Sequence, residues 1–126
     1  MKSPALKPVN PKDRRVVNIA EAERFRPWTG DDGSATGQLI LQLDEEQPLG
    51  IGFHVYRMEP GTVTDPHEHN GHEQFLVLEG ELTDHDGTVY RQGDLVWLRD
   101  GSCHFSHSER GCLLAVHIAG PERPLD

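Results

Sequence analysis

At 126 residues with 35% hydrophobic side chains, thirteen Gly and nine Pro, the chain has room for one domain, built from short strands and turns rather than a helical bundle. A net charge of −9 argues against nucleic acid as a partner, because a phosphate backbone demands a basic surface. No apolar run is long enough for a membrane span or a signal-peptide core, and two cysteines, Cys103 and Cys112, are too few for a disulfide framework, so a cytoplasmic protein with reduced thiols is expected.

In chain order, residues 1–15 hold Lys2, Lys7, Lys12, Arg14 and Arg15 against one acid, Asp13, together with Pro4, Pro8 and Pro11. This composition predicts a flexible basic arm, with residues 16–126 forming the folded domain. Ile19 to Arg26 is expected to make one short helical turn before Pro27 ends it. Thr29 to Gly37 reads as a loop. Strands follow at Gln38–Leu43, Ile51–Met58 and Glu73–Leu78. Glu81–Thr83 and Thr88–Arg91 flank Asp86-Gly87, a strong hairpin turn. Leu95–Leu98 and Cys112–Ile118 complete a set that implies an all-β sandwich or barrel. No lysine follows Lys12, so Schiff-base chemistry from inside such a barrel has no amine to use.

Six of the eight histidines fall between His67 and His107. His67 and His69 are two residues apart, which on an extended strand places both imidazoles on one face. Glu73 follows across Asn70-Gly71-His72, where Gly71 permits a bend that returns the carboxylate to the same point. His104 comes back after a hairpin. Three imidazoles and a carboxylate suit one divalent ion per chain, Fe, Mn, Ni, Co or Zn, with positions left for water, oxygen or substrate. The competing reading places these side chains on exposed loops of a barrel without metal, or makes Glu73 a general base.

The spacing also carries a resemblance. Gly61, His67, His69, Glu73 and Gly80 stand as in the first cupin motif, and Gly93, Gly101 and His104 as in the second. Arg99 replaces a usual proline and Ser108 a frequent asparagine, and neither change removes a ligand. The stretch from Gly61 to Val116 resembles the cupin domain of ChrR-type anti-sigma factors and of related small dioxygenases. The resemblance implies a double-stranded β-helix (jelly-roll) barrel that holds a metal on His67, His69, Glu73 and His104. It also implies a homodimer and a small-molecule ligand. Two functions are open: a dioxygenase acting on a diketone or hydroxyketone, and a non-catalytic metal- or ligand-sensing module. A complete anti-sigma factor is not expected, because residues 1–60 contain no cysteine and only His54 to ligate a second zinc.

Around this centre, His54 and Tyr56 share one strand face and are candidates for supporting or proton-transfer roles, with packing or solvation as the plainer alternative. Phe75 is expected in barrel packing within reach of a substrate, alongside Val77 and Trp97. His72, His85 and His107 are expected in exposed turns, and His117 opposite a core face. Cys103 should point away from the metal and be buried. Ser106 and Ser108 lack the partners of a nucleophile.

Overall fold

A computed structural model describes residues 5–125; residues 1–4 of the expected arm, and Asp126, lie outside the described residues. Residues 5–15 are exposed, with a 3-10 turn at Pro11–Asp13 capped by Asn10. Arg15 donates to the carbonyl of Leu43 at 2.7 Å. The expected helical turn is a 3-10 turn at Ala22–Arg24. Arg26 and Pro27 already belong to a strand, β1 (Arg26–Thr29). The predicted loop is correspondingly shorter: β1 pairs with β2 (Ala35–Leu41), so only residues 30–34 turn the chain. Pro27 is tolerated there because β1 lies at the sheet edge, where a missing N–H leaves no ladder partner unpaired.

Ten more short strands follow: β3 (Gly52–Met58), β4 (Thr62–Val63), β5 (His67–Glu68), β6 (Glu73–Asp84), β7 (Val89–Arg91), β8 (Leu95–Leu98), β9 (Cys103–His104), β10 (Ser106–Ser108), β11 (Cys112–Ile118) and β12 (Arg123–Pro124). The main sheet runs β1-β2-β3-β11-β6-β10-β4, with β7 and β8 also paired to β6, and its paired neighbours are antiparallel. A separate three-stranded ladder, β12-β5-β9, carries two of the histidines. The result is the expected all-β jelly-roll barrel.

The twelve residues of β6 make the barrel curl. Its N-terminal half pairs with β11 and β8, and its C-terminal half with β7 and β10. Between them the register against β11 shifts: Val77 faces Leu114 while Glu79 faces Leu113, which leaves Leu78 as an extra residue. Such a bulge exchanges the two faces of a strand. Glu73, Phe75 and Val77 are therefore buried before it, and Leu82 and Asp84 after it. Gly80 follows the bulge at φ +78°, and a Cβ there would run into the carbonyl oxygen of Gly111. Only glycine meets both conditions.

The interior packs Met58, Phe75, Val77, Leu82, Cys112, Leu114 and Val116 together. Each such side chain contributes about 1.5–3 kcal/mol of apolar burial. A second cluster on the outer face of the main sheet joins Phe25, Leu41 and Leu113, with Val17 and Val55 packed against it, so the N-terminal segment covers that part of the sheet. Beyond this cover the same face is open. Trp97, expected in the barrel packing, is 50% exposed, and Phe53 is 66% exposed. Trp97 alternates with the half-buried Val96 and Leu98, so its side chain is on the outer face and not in the barrel packing. His107 lies in strand β10 and is half-buried, not in an exposed turn. His72, His85 and His117 are exposed as expected.

Candidate metal centre

Two turns and two ladders bring the sequence-predicted residues together. His67 pairs directly across from His104 in the β5–β9 ladder. His69 continues that edge: its N–H donates to Ser102 and its carbonyl accepts from Gly101, each at 2.9 Å. Gly71, at φ +100°, then turns the chain into β6, and its N–H donates to the Asp100 carboxylate at 2.7 Å. A Cβ on Gly71 would lie 2.8 Å from that of Ala119, so a side chain there would disturb the turn. Glu73 opens β6 facing inward and is 7% exposed.

The imidazoles of His67, His69 and His104 lie with ring centroids 4.7–5.0 Å apart, and one nitrogen from each falls within 4.8 Å of the others. Nε2 of His69 is 2.9 Å from Nε2 of His104 and 3.6 Å from the Glu73 carboxylate. The outer nitrogens of two rings are held from behind. Nδ1 of His67 donates to the carbonyl of Asp65 at 2.8 Å, and Nδ1 of His104 to the Asp84 carboxylate at 3.0 Å. This leaves both Nε2 atoms as lone-pair acceptors turned to a common point.

Asp84 was not singled out in the sequence. Besides His104 it accepts from the hydroxyl of Ser106 and from that of Tyr90, each at 2.5 Å. Burial pushes its carboxyl up, but the hydrogen bonds from His104, Ser106 and Tyr90 outweigh this and hold it below the usual carboxylate range. An ionised Asp84 fixes the tautomer and the plane of His104. Ser106 thus helps to hold Asp84 in place. Glu122 was also missed: its carboxylate is 3.4 Å from Nε2 of His67 and groups with His69 and Glu73 within 4.8 Å. It lies in the turn before β12, where no motif spacing reaches it.

These residues fit a divalent ion. Two neutral nitrogens 2.9 Å apart repel through their lone pairs unless a proton or a cation lies between them. Burial, then the neighbouring His104 and His67, lowers His69 to about 4, so at neutral pH the ring offers a lone pair and not a charge. Burial, then Glu122 and Asp84, raises Glu73 to about 8. A bound divalent ion would favour the ionised carboxylate and so oppose this shift.

A cavity of about 490 Å³ opens beside the cluster and includes His67, His104, Glu73 and Glu122 in its lining. Phe75, Leu114, Val116 and Ile118 give it apolar walls. His54 and Tyr56 both line it, which makes theirs the inward face of β3. Burial lowers His54, keeping it neutral, and its Nδ1 lies 3.1 Å from the carbonyl of Gly52. Burial, then Cys112, Glu122 and Glu73, raises Tyr56, whose hydroxyl donates to Gln38 at 2.6 Å. Cys103, opposite Glu68 in its ladder, points away from the cluster as alternation requires, yet it is exposed and not buried. Among the described residues no second layer covers Cys103 on the ladder β12-β5-β9.

A small antiparallel barrel with clustered histidines at one end defines a cupin. More narrowly, residues 15–120 match the ChrR cupin-like domain, and the chain belongs to that family. Among curated proteins none matches in sequence. Solved structures share the fold. An acetylacetone dioxygenase from Acinetobacter johnsonii superposes with a TM-score of 0.68 at 15% identity, over 100% of this chain and 85% of that one. The polyketide cyclase RemF from Streptomyces resistomycificus gives 0.67 at 18%, over 90% and 86%. The complex of Rhodobacter sphaeroides SigE with the anti-sigma ChrR gives 0.55 at 22%, over 74% of this chain and 46% of that chain. Among the described residues no helix is long and apolar enough to cross a membrane.

Proposed function

We propose that this protein is a metal-dependent cupin in which His67, His69, Glu73 and His104 hold one divalent ion per chain, and that it is a dioxygenase for a small diketone, hydroxyketone or similar chelating substrate. The observation that carries this reading is the apolar cavity of about 490 Å³ beside the cluster, large enough for a small molecule next to the ion. When bound, a ferrous ion would supply oxygen activation and polarise a chelating carbonyl. The chain's own residues do the rest. Asp84 orients His104. Phe75, Leu114 and Val116 exclude water from the reacting face. Tyr56, kept protonated by burial, and His54, kept neutral, are the polar groups able to orient a ligand's oxygens.

The decisive experiment is elemental analysis of protein purified without added metal, followed by oxygen uptake with a panel of diketones and hydroxyketones. Iron-loaded protein should consume oxygen and zinc-loaded protein should not, since zinc has no redox chemistry. Turnover that proceeds equally well with zinc and without oxygen would overturn the dioxygenase reading in favour of Lewis-acid chemistry.

Membership of the ChrR cupin-like family favours a second reading, a sensor module. It predicts zinc as isolated, no turnover with any metal, and a stability shift when a small ligand binds. Under either reading we propose a cytoplasmic homodimer. The two free cysteines suit a reducing compartment. Phe53, Leu95 and Trp97 leave apolar surface on the outer face of the main sheet that a second copy would cover. Sedimentation showing only monomer at high micromolar concentration would refute the dimer.

A further inference from the structure

We infer that Glu122 is a fifth protein donor at this centre, a displaceable carboxylate occupying the position that an anionic ligand takes. The inference rests on the metal-centre reading above and adds a residue outside both sequence motifs.

The local structure delivers Glu122 to the site. Strand β12 pairs with β5, setting Pro124 opposite His67 and Arg123 opposite Glu68. The N–H of Leu125 donates to the carbonyl of Pro66 at 3.1 Å, and the Arg123 guanidinium meets the Glu68 carboxylate at 3.0 Å. Arg123 is thereby engaged away from Glu122. Pro121 and Pro124 bracket the segment and restrict its backbone before any ligand binds. The Glu122 carboxylate then lies 3.4 Å from His67 and within 4.8 Å of the donor atoms of His69 and Glu73. Its side chain is 36% exposed and lines the cavity.

The two carboxylates differ in a way that suits different roles. Glu73 is buried at the start of the longest strand and has little freedom to leave. Glu122 is on a short strap at the cavity's rim and can swing into solvent. Charge gives the same division. Three neutral imidazoles and Glu73 leave a divalent centre with net charge +1, and Glu122 brings it to zero. An entering anion, such as an enolate, restores neutrality if it replaces Glu122. The carboxylate would thus hold the centre closed between ligands and be exchanged for them.

Cobalt(II) binding to the full-length protein tests this, with azide as the anionic probe and the isosteric variant Glu122→Gln. Wild-type protein should take up one cobalt per chain. In E122Q, uptake at saturating cobalt should persist, with affinity lower by on the order of tenfold. The visible cobalt bands should intensify as the coordination number falls, and azide should bind about tenfold more tightly to a centre with one more positive charge. Glu122→Ala, which also removes the side chain's bulk, should show the same spectral change. Unchanged cobalt bands and unchanged azide affinity in both variants would overturn the role of Glu122 while leaving the metal centre intact. Failure of the wild type to bind cobalt would overturn the metal centre and this inference with it.

Discussion

The two sheets of this barrel do different work. The main sheet supplies nearly all of the apolar interior, and its long ladders between β3, β11 and β6 fix the shape. The ladder β12-β5-β9 pairs only two residues per strand pair and buries little apolar side chain, yet it carries His67 and His104 and brings Glu122 beside them. Most of the apolar packing is therefore in one sheet, and two of the three clustered histidines are in the other, where the backbone is thinly held. Glu73 and Asp84, at opposite ends of β6, are the links between the two: one joins the cluster and the other holds a cluster member from behind.

This division can be broken by substitution. The largest effect is expected from His69→Ala, which should abolish stoichiometric metal binding while far-ultraviolet circular dichroism stays that of the wild type. Loss of the fold in that variant would show that the small sheet is structural after all. Leu113→Ala, in the outer cluster and away from the cavity, should do the reverse. It should cost about 2–5 kcal/mol in denaturant unfolding with metal content unchanged. Asp84→Asn should retain the metal but lower its affinity about 10–100-fold, because the acceptor behind His104 loses the negative charge that raises the ring's basicity. Competition with a chromophoric chelator would measure it.

The smallest effect is a pH dependence in metal-free protein. Glu73 is raised from 4.5 to about 8, so the folded state keeps a proton that the unfolded state gives up. Its contribution is full below pH 4.5 and is lost as pH rises to about 8. His69 is lowered from 6.5 to about 4, so its contribution is gained over that interval as pH rises. The two oppose one another up to pH 6.5, and above it only Glu73 acts. Metal-free protein should therefore lose stability between pH 6.5 and about 8, on the order of 1 kcal/mol per pH unit. Glu73→Gln should flatten that slope, and thermal unfolding across the interval would reveal it.

How much of this was legible in the sequence depended on how local the signal was. His67, His69, Glu73 and His104 stand at fixed spacings within two short segments, and the structure brings them together. Asp84 was hidden by the bulge at Leu78: eleven residues from Glu73, it would face outward on a regular strand. Glu122 was hidden because it reaches the site through pairing between β12 and β5, a contact across more than fifty residues that no local pattern encodes. Cys103 was placed on the correct side of its strand, whereas Trp97 was expected in the barrel packing and lies on the outer face. What alternation could not supply was whether another layer covered that side. Pro27 read as a stop, and became an edge-strand residue once the sheet's order made β1 the margin.

The position of β11 also bears on how the chain is made. It lies between β3 and β6, but its residues, Cys112–Ile118, follow both of them in the chain. During synthesis both neighbours must wait, their facing edges unpaired, until residues 112–118 have left the ribosome. The barrel is then closed by one later strand, on the millisecond-to-second scale of non-local β topologies. In that interval two apolar edges are open to other nascent chains, and chaperone demand should track how quickly β11 is inserted.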